Sequence, residues 1–285
     1  MIRRHRALLG LAVAAGLAAP IAQAAPIDAA YRIIRESPVG TGDERLLILG
    51  TRPGVTIRFL LASSDAPKTS IVLFAGGSGR LGLDDSGRLR GGKNNFLVSN
   101  RHRFARAGLA VATVDAPSDR QDAKGLLFGF RGSTAHARDT AALIRFLRDR
   151  FGKPVWLVGT SRGSTSVANG GIRLSDAGPG APDGLVITAA VTVDNDKGPN
   201  LLGMRLEAIP VPVVIAHHRK DACRITPFRN VASLFTALGN VPSVTILAYR
   251  DGQSKGGACG AKSFHGFRGI KGRVVRDIAR RIKRQ

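Results

Sequence analysis

The sequence predicts an α/β fold: a mainly parallel central sheet with helices on both faces. Its apolar, β-branched runs lack the polar alternation of a half-exposed sheet, which marks strands covered on both sides. Amphipathic helical patterns fall between those runs, as crossovers between parallel strands require. The 285 residues contain no repeat, no heptad pattern and no polar linker near the middle, so a single domain is the economical reading. A hydrophobic share of 44% supplies an ample core.

The N-terminus stands apart from that domain. MIRRHR is a basic start, residues 7–22 are apolar, and Ala22-Gln23-Ala24 has the A-x-A form of a cleavage site. The apolar stretch is short, rich in Ala and Gly, and broken by Pro20, which suits a cleaved secretory signal better than a membrane anchor. Residues 1–24 are therefore expected to leave as a signal peptide, and 25–285 to form the exported domain, soluble in a periplasm or outside the cell.

Along that domain, TIRFLLA (56–62) and SIVLFAGG (70–77) read as strands, followed by a long Gly-rich loop. Residues 95–108 read as helix and LAVATVDAP (109–117) as strand. Ser133 is placed to cap a helix in which Ala137, Ala141, Ile144 and Leu147 recur at helical spacing. PVWLVG (154–159) is a buried strand running into GTSRG, and three more strands are expected at 185–193, 211–218 and 243–249. A helix over 226–240 separates the last two. In the C-terminal GIKGRVVRDIARRIKRQ, Val274, Val275, Ile278 and Ile282 form one apolar face of a basic surface helix.

In an open parallel sheet, functional groups gather beyond the carboxyl ends of the strands. Ser78 and Gly79, Ser118 and Asp119, Ser161 and Arg162, Asp194 and Asp196, then Arg219, Lys220 and Asp221 all follow strand ends, and the last strand leads to Cys259 and His265. A serine, an acid and a histidine thus occur in that order at one sheet edge. The strand–GTSRG–helix unit and the order Ser161, Asp221, His265 resemble the α/β-hydrolase superfamily over about residues 50–280. The resemblance implies Ser161 as nucleophile, His265 as base and Asp221 as its acid, with Asp194 or Asp196 the alternative acid. The chemistry needs all three, because a serine hydroxyl is a weak nucleophile until an imidazole, oriented by a carboxylate, takes its proton. The resemblance also implies an oxyanion hole from the backbone N–H of Arg162 and that of Gly77 or Ser78, in a stretch that lacks the histidine of the superfamily's HG motif. No cofactor is implied.

Export favours pairing of the only two cysteines, Cys223 and Cys259. Cys223 follows Asp221 by two residues and Cys259 precedes His265 by six, so a bridge between them would staple the acid and base loops. No metal site is expected, since H-E-x-x-H is missing and the adjacent His217 and His218 diverge on a strand. The connection between the strands at 185–193 and 211–218 is too short for a large lid. Leu126, Leu127, Phe128 and Phe130 either line an acyl pocket or pack against the body.

The net charge is +23, of which Arg3, Arg4 and Arg6 belong to the expected signal, and 33 Arg outnumber 10 Lys. This reads as a solvated basic surface, or alternatively as weak attraction to anionic envelope lipid or polysaccharide. Export and the lack of a reader motif count against nucleic acid, and no stable protein partner is implied. The expected function is hydrolysis of a small-molecule ester through an acyl-enzyme. The alternatives are a peptidase or lactone hydrolase on the same residues, or a non-catalytic binder of anionic lipid or glycan.

Overall fold

A computed structural model describes residues 27–285. The expected signal, 1–24, lies outside the described residues. Nine strands form one sheet: β1 (Arg32–Pro38), β2 (Arg45–Arg52), β3 (Val55–Ser63), β4 (Thr69–Phe74), β5 (Leu109–Val114), β6 (Val155–Thr160), β7 (Gly184–Thr188), β8 (Val213–His218) and β9 (Val244–Tyr249). Their spatial order is β1-β2-β3-β5-β4-β6-β7-β8-β9. From β5 through β9 all pairings are parallel, whereas β1, β2 and β3 form an antiparallel meander joined antiparallel to β5.

Successive side chains of a strand point to opposite faces, and here each face meets its own helices. Val72, Leu157 and Ile215 pack with α3 (Thr134–Phe151), α4 (Gly163–Arg173) and α5 (Val231–Ala237) in one cluster. Their neighbours Ile71, Trp156 and Val214 pack with α1 (Phe96–Ser99), α2 (Arg101–Arg106) and α6 (Lys271–Ile282) in the other. Burial on both faces is why the central strands carry no polar alternation. The four apolar residues assigned to the C-terminal helix, Val274, Val275, Ile278 and Ile282, are all buried on α6.

Several elements differ from the sequence expectation, among them the helix expected over 95–108, which is broken at Asn100 into α1 and α2. The hairpin of β1 and β2 lies outside the strands expected from the sequence. β1 is an edge strand whose RIIRESP is largely exposed and studded with charge, the composition that keeps a sheet edge from pairing with another chain. The strand expected at 185–193 stops at Thr188, because Ala189 turns to φ +45°. The helix expected over 226–240 is α-helical only over Val231–Ala237, after Pro227 delays its start.

Ser133 caps α3 as expected, accepting a hydrogen bond from the His136 N–H at 3.1 Å. The His136 ring is buried between Phe74 and Phe130, and among the described residues neither ring nitrogen has a hydrogen-bond partner. Burial, reinforced by the Arg131 and Arg52 charges, pushes its pKa down to about 3. An unfolded histidine takes up its proton near pH 6.5, so below that pH the unfolded chain binds the proton first and stability falls. His136 alone should therefore remove about 1.4 kcal/mol per pH unit as the pH drops from 6.5. We expect urea midpoints of the wild type to decline between pH 7 and pH 5, and His136→Leu to flatten that decline. Equal slopes for the two proteins would refute the assignment.

Candidate active site

The strand β6 ends at Thr160, and α4 begins at Gly163, so only Ser161 and Arg162 make the turn. Ser161 sits at φ +53°, a left-handed conformation costing a non-glycine residue on the order of 1–3 kcal/mol. The surrounding packing holds it there. Its N–H donates to the Thr188 carbonyl at 3.0 Å, and its carbonyl accepts from the Ser164 hydroxyl at 2.6 Å. The flanking glycines are steric necessities: a Cβ on Gly159 would strike the Gly163 carbonyl, and one on Gly163 would strike the Phe74 carbonyl at the end of β4. Helix and strand thus pack through bare backbone, with the serine at the tip.

After β4 the chain passes directly over this turn, where a Cβ on Gly76 would come within 3.0 Å of the Ser161 Cβ. Gly76, Gly77, Ser161, Cys259 and His265 line one cleft of about 70 Å³. Among the described residues, the backbone N–H groups of Gly77, Ser78 and Arg162 have no acceptor, leaving them as candidate donors to an anionic oxygen. Of the first two, Gly77 lines the cleft and Ser78 does not.

His265 lies in a short helical turn (Phe264–Gly266) where the Ser263 hydroxyl accepts its N–H at 3.2 Å. Its Nδ1 is 2.9 Å from Oδ2 of Asp221, which follows β8. A carboxylate only accepts, so Nδ1 carries the hydrogen and Nε2 is left free to act as a base. Ser161 Oγ is not in hydrogen-bonding geometry with that ring here; the two share the cleft. Asp194 and Asp196 are elsewhere: both are exposed, the first accepting from Asn200 and the second paired with Lys197.

Two groups around Asp221 escaped sequence reasoning. The Thr226 hydroxyl donates to Oδ2 at 3.0 Å and lies 3.1 Å from His265 Nδ1. His217 Nε2 donates to the Thr226 carbonyl at 2.9 Å and sits 3.4 Å from the same Oδ2. Burial would raise the Asp221 carboxyl, but the His217 and His265 rings beside it and the Cys223 N–H hold it below the usual carboxylate range. Asp221 is thereby kept ionised and fixed in orientation. His218 points away, as strand alternation requires; it stacks on Phe264 at 4.5 Å and donates from Nε2 to the Asp251 carbonyl, bracing the histidine turn.

Cys223 and Cys259 form a disulfide with Cα atoms 4.5 Å apart, joining the acid loop to the base loop. Leu126, Leu127, Phe128 and Phe130 do not line the Ser161 cleft. Leu126 and Phe130 instead pack with Ala116 in a separate apolar cluster, and Leu127 is half-buried. Phe128 is exposed, with the Lys197 ammonium 4.6 Å from its ring centre.

No protein-family model matches the sequence, and no curated protein matches it. Solved structures do resemble it in fold. A soluble variant of monoglyceride lipase from Saccharomyces cerevisiae superposes with a TM-score of 0.59 at 10% identity, covering 87% of this chain and 95% of that one. An esterase of Pyrococcus furiosus gives 0.55 at 11% identity over 90% and 92%. A dienelactone hydrolase from Anabaena variabilis gives 0.52 at 10% identity over 89% and 96%. The chain therefore has the α/β-hydrolase fold, and these structural neighbours are hydrolases.

Proposed function

We propose that this protein is an exported serine hydrolase acting on carboxylic esters of small molecules. The observation that carries the reading is His265, bonded through Nδ1 to Asp221, lining the same cleft as a serine held in a left-handed turn. Ser161 Oγ attacks the acyl carbonyl while His265 Nε2 takes its proton, and the imidazolium so formed is stabilised by Asp221. The N–H groups of Gly77 and Arg162 receive the negative charge that develops on the carbonyl oxygen. His265 then protonates the departing alcohol, and a water deprotonated by the same nitrogen releases the acyl group from Ser161. A cleft of this size suits a short acyl group. Export is supported by the signal-like N-terminal sequence and by a disulfide that an oxidising compartment preserves.

Fluorophosphonate labelling of the purified domain, with mass spectrometry to locate the adduct, tests this reading without knowledge of the natural substrate. A single adduct on Ser161 is expected, absent from His265→Ala. Folded, oxidised protein that takes up no label would overturn it.

A further inference from the structure

Behind the loop that passes over Ser161 lies a second, smaller pocket of about 10 Å³, lined by Leu126, Arg131, Arg162, Thr165 and Lys197 among others. That volume holds one water-sized particle. Its inner wall is Arg131, only 4% exposed. The guanidinium donates to Ser166 Oγ at 2.7 Å, to the Ala75 carbonyl at 2.8 Å and to the Gly77 carbonyl at 3.4 Å, all neutral acceptors. Its Nε is buried with no partner. Among the described residues no carboxylate pairs with it.

Buried arginines are ordinarily compensated by a carboxylate, since an unpaired interior charge is costly. Here the charge that acts on it is that of another cation, Arg162. Burial and the like charge of Arg162 together lower the Arg131 pKa to about 9, which still leaves it protonated at neutral pH. Arg162 spends one donor on the neutral Asn195 amide oxygen. Asp196, whose charge also acts on Arg162, is exposed and engaged by Lys197 at 2.9 Å. Arg131 and Arg162 thus both line a space large enough for one small particle, and the buried Arg131 Nε has no partner among the described residues.

We propose that this pocket binds one small monovalent anion from solvent, of chloride size, between Arg131 and Arg162. The bound anion would take the free Nε–H of Arg131 and relieve the repulsion between the two guanidinium groups. The same Arg131 holds the carbonyls of Ala75 and Gly77, the backbone that passes over Ser161, so anion binding would stiffen the loop that presents the Gly77 N–H. Gly79 makes this possible: a Cβ there would collide with the Arg131 guanidinium.

The test is a thermal-unfolding titration in which sodium chloride replaces sodium gluconate at constant ionic strength. An anion that binds only the folded chain should raise the midpoint saturably, by about 3 °C at tenfold excess over half-saturation. Arg162→Met, at the outer wall, should raise the half-saturating concentration about tenfold, and Arg131→Met, if it folds, should abolish the response. Crystals soaked in sodium bromide should show an anomalous peak between Arg131 and Arg162. Identical midpoints in the two salts, or bromide absent from this pocket in a well-diffracting crystal, would overturn the proposal. Neither readout depends on ester turnover, so failure here leaves the serine-hydrolase reading standing, and the reverse.

Discussion

Asp221→Asn should lower kcat for an activated short-chain ester on the order of 10⁴-fold with KM little changed. The amide fails in either orientation. Asp221 Oδ2 receives His265 Nδ1–H and the Thr226 hydroxyl and lies 3.4 Å from His217 Nε2, while Oδ1 receives the Cys223 N–H. With the amide nitrogen turned toward His265, Nδ1 must become the acceptor. The ring hydrogen then moves to Nε2, and no base faces Ser161. With the amide nitrogen turned toward Cys223, two donors confront each other and the carbonyl left at Oδ2 carries no charge to stabilise the imidazolium. Asp194→Asn and Asp196→Asn are the matched controls and should stay within about threefold of wild type, because surface changes remote from the chemistry have small effects. The measurement is initial-rate kinetics on a p-nitrophenyl ester, with circular dichroism to establish folding. A loss below tenfold in folded Asp221→Asn would remove Asp221 from the base-orienting role.

What was legible in the sequence follows from what is local in the fold. The strand–Ser161–helix unit spans fewer than twenty residues, and each of its requirements is written in residue type: an apolar β-branched run, then small residues where backbone meets backbone. The placement of Asp221 and His265 beyond strand ends is likewise a matter of chain order, which a parallel sheet converts directly into position at one edge. Groups brought in by tertiary path left no such trace. Thr226 looked like the start of a helix and His217 like a strand terminus, yet the turn between them folds both onto the Asp221 carboxylate. Arg131, in the stretch Phe130-Arg131-Gly132, has nothing in its neighbours to announce burial, which comes from the loop at 75–79 and the first turn of α4 closing on it. The apolar 126–130 segment left two destinations open for the same reason. Hydrophobicity marked it for burial, but its destination was the Ala116 cluster rather than the cleft. The β1–β2 hairpin was missed because its outer strand is charged and exposed, so burial leaves little periodic signature there.

Reduction of the Cys223–Cys259 disulfide should cost about 3–4 kcal/mol of unfolding free energy, the loop-closure value for its 36-residue span. The bridge has more than entropy to supply, because the segment around Cys259 has little else to hold it. Residues 250–259, apart from the cleft face of Cys259, are exposed, and their ties to the body are few: Gln253 N–H to the Arg268 carbonyl, Lys255 N–H to the Lys262 carbonyl, His218 Nε2 to the Asp251 carbonyl, Arg273 to the Asp251 carboxylate and Ser263 Oγ to the Ala258 carbonyl. At the other end, Cys223 is 1% exposed and its N–H anchors Asp221 Oδ1. The disulfide therefore fastens the loose loop before His265 to the rigid turn carrying Asp221, and loosening it should widen the range of His265–Ser161 separations. A drop in kcat is expected before global unfolding, since a displacement of about 1 Å at a reacting group costs on the order of 10²-fold. The experiment compares urea unfolding and ester hydrolysis of the oxidised wild type, the wild type in reductant, and the Cys223→Ala/Cys259→Ala double variant. Thiol titration verifies the redox state. The double variant separates loss of the link from side reactions of free thiols, so it and the reduced protein should agree to within the cavity left at Cys223. Unchanged stability and rate in fully reduced protein would mean that the loops are held in register by the Asp221–His265–Thr226 hydrogen bonds alone.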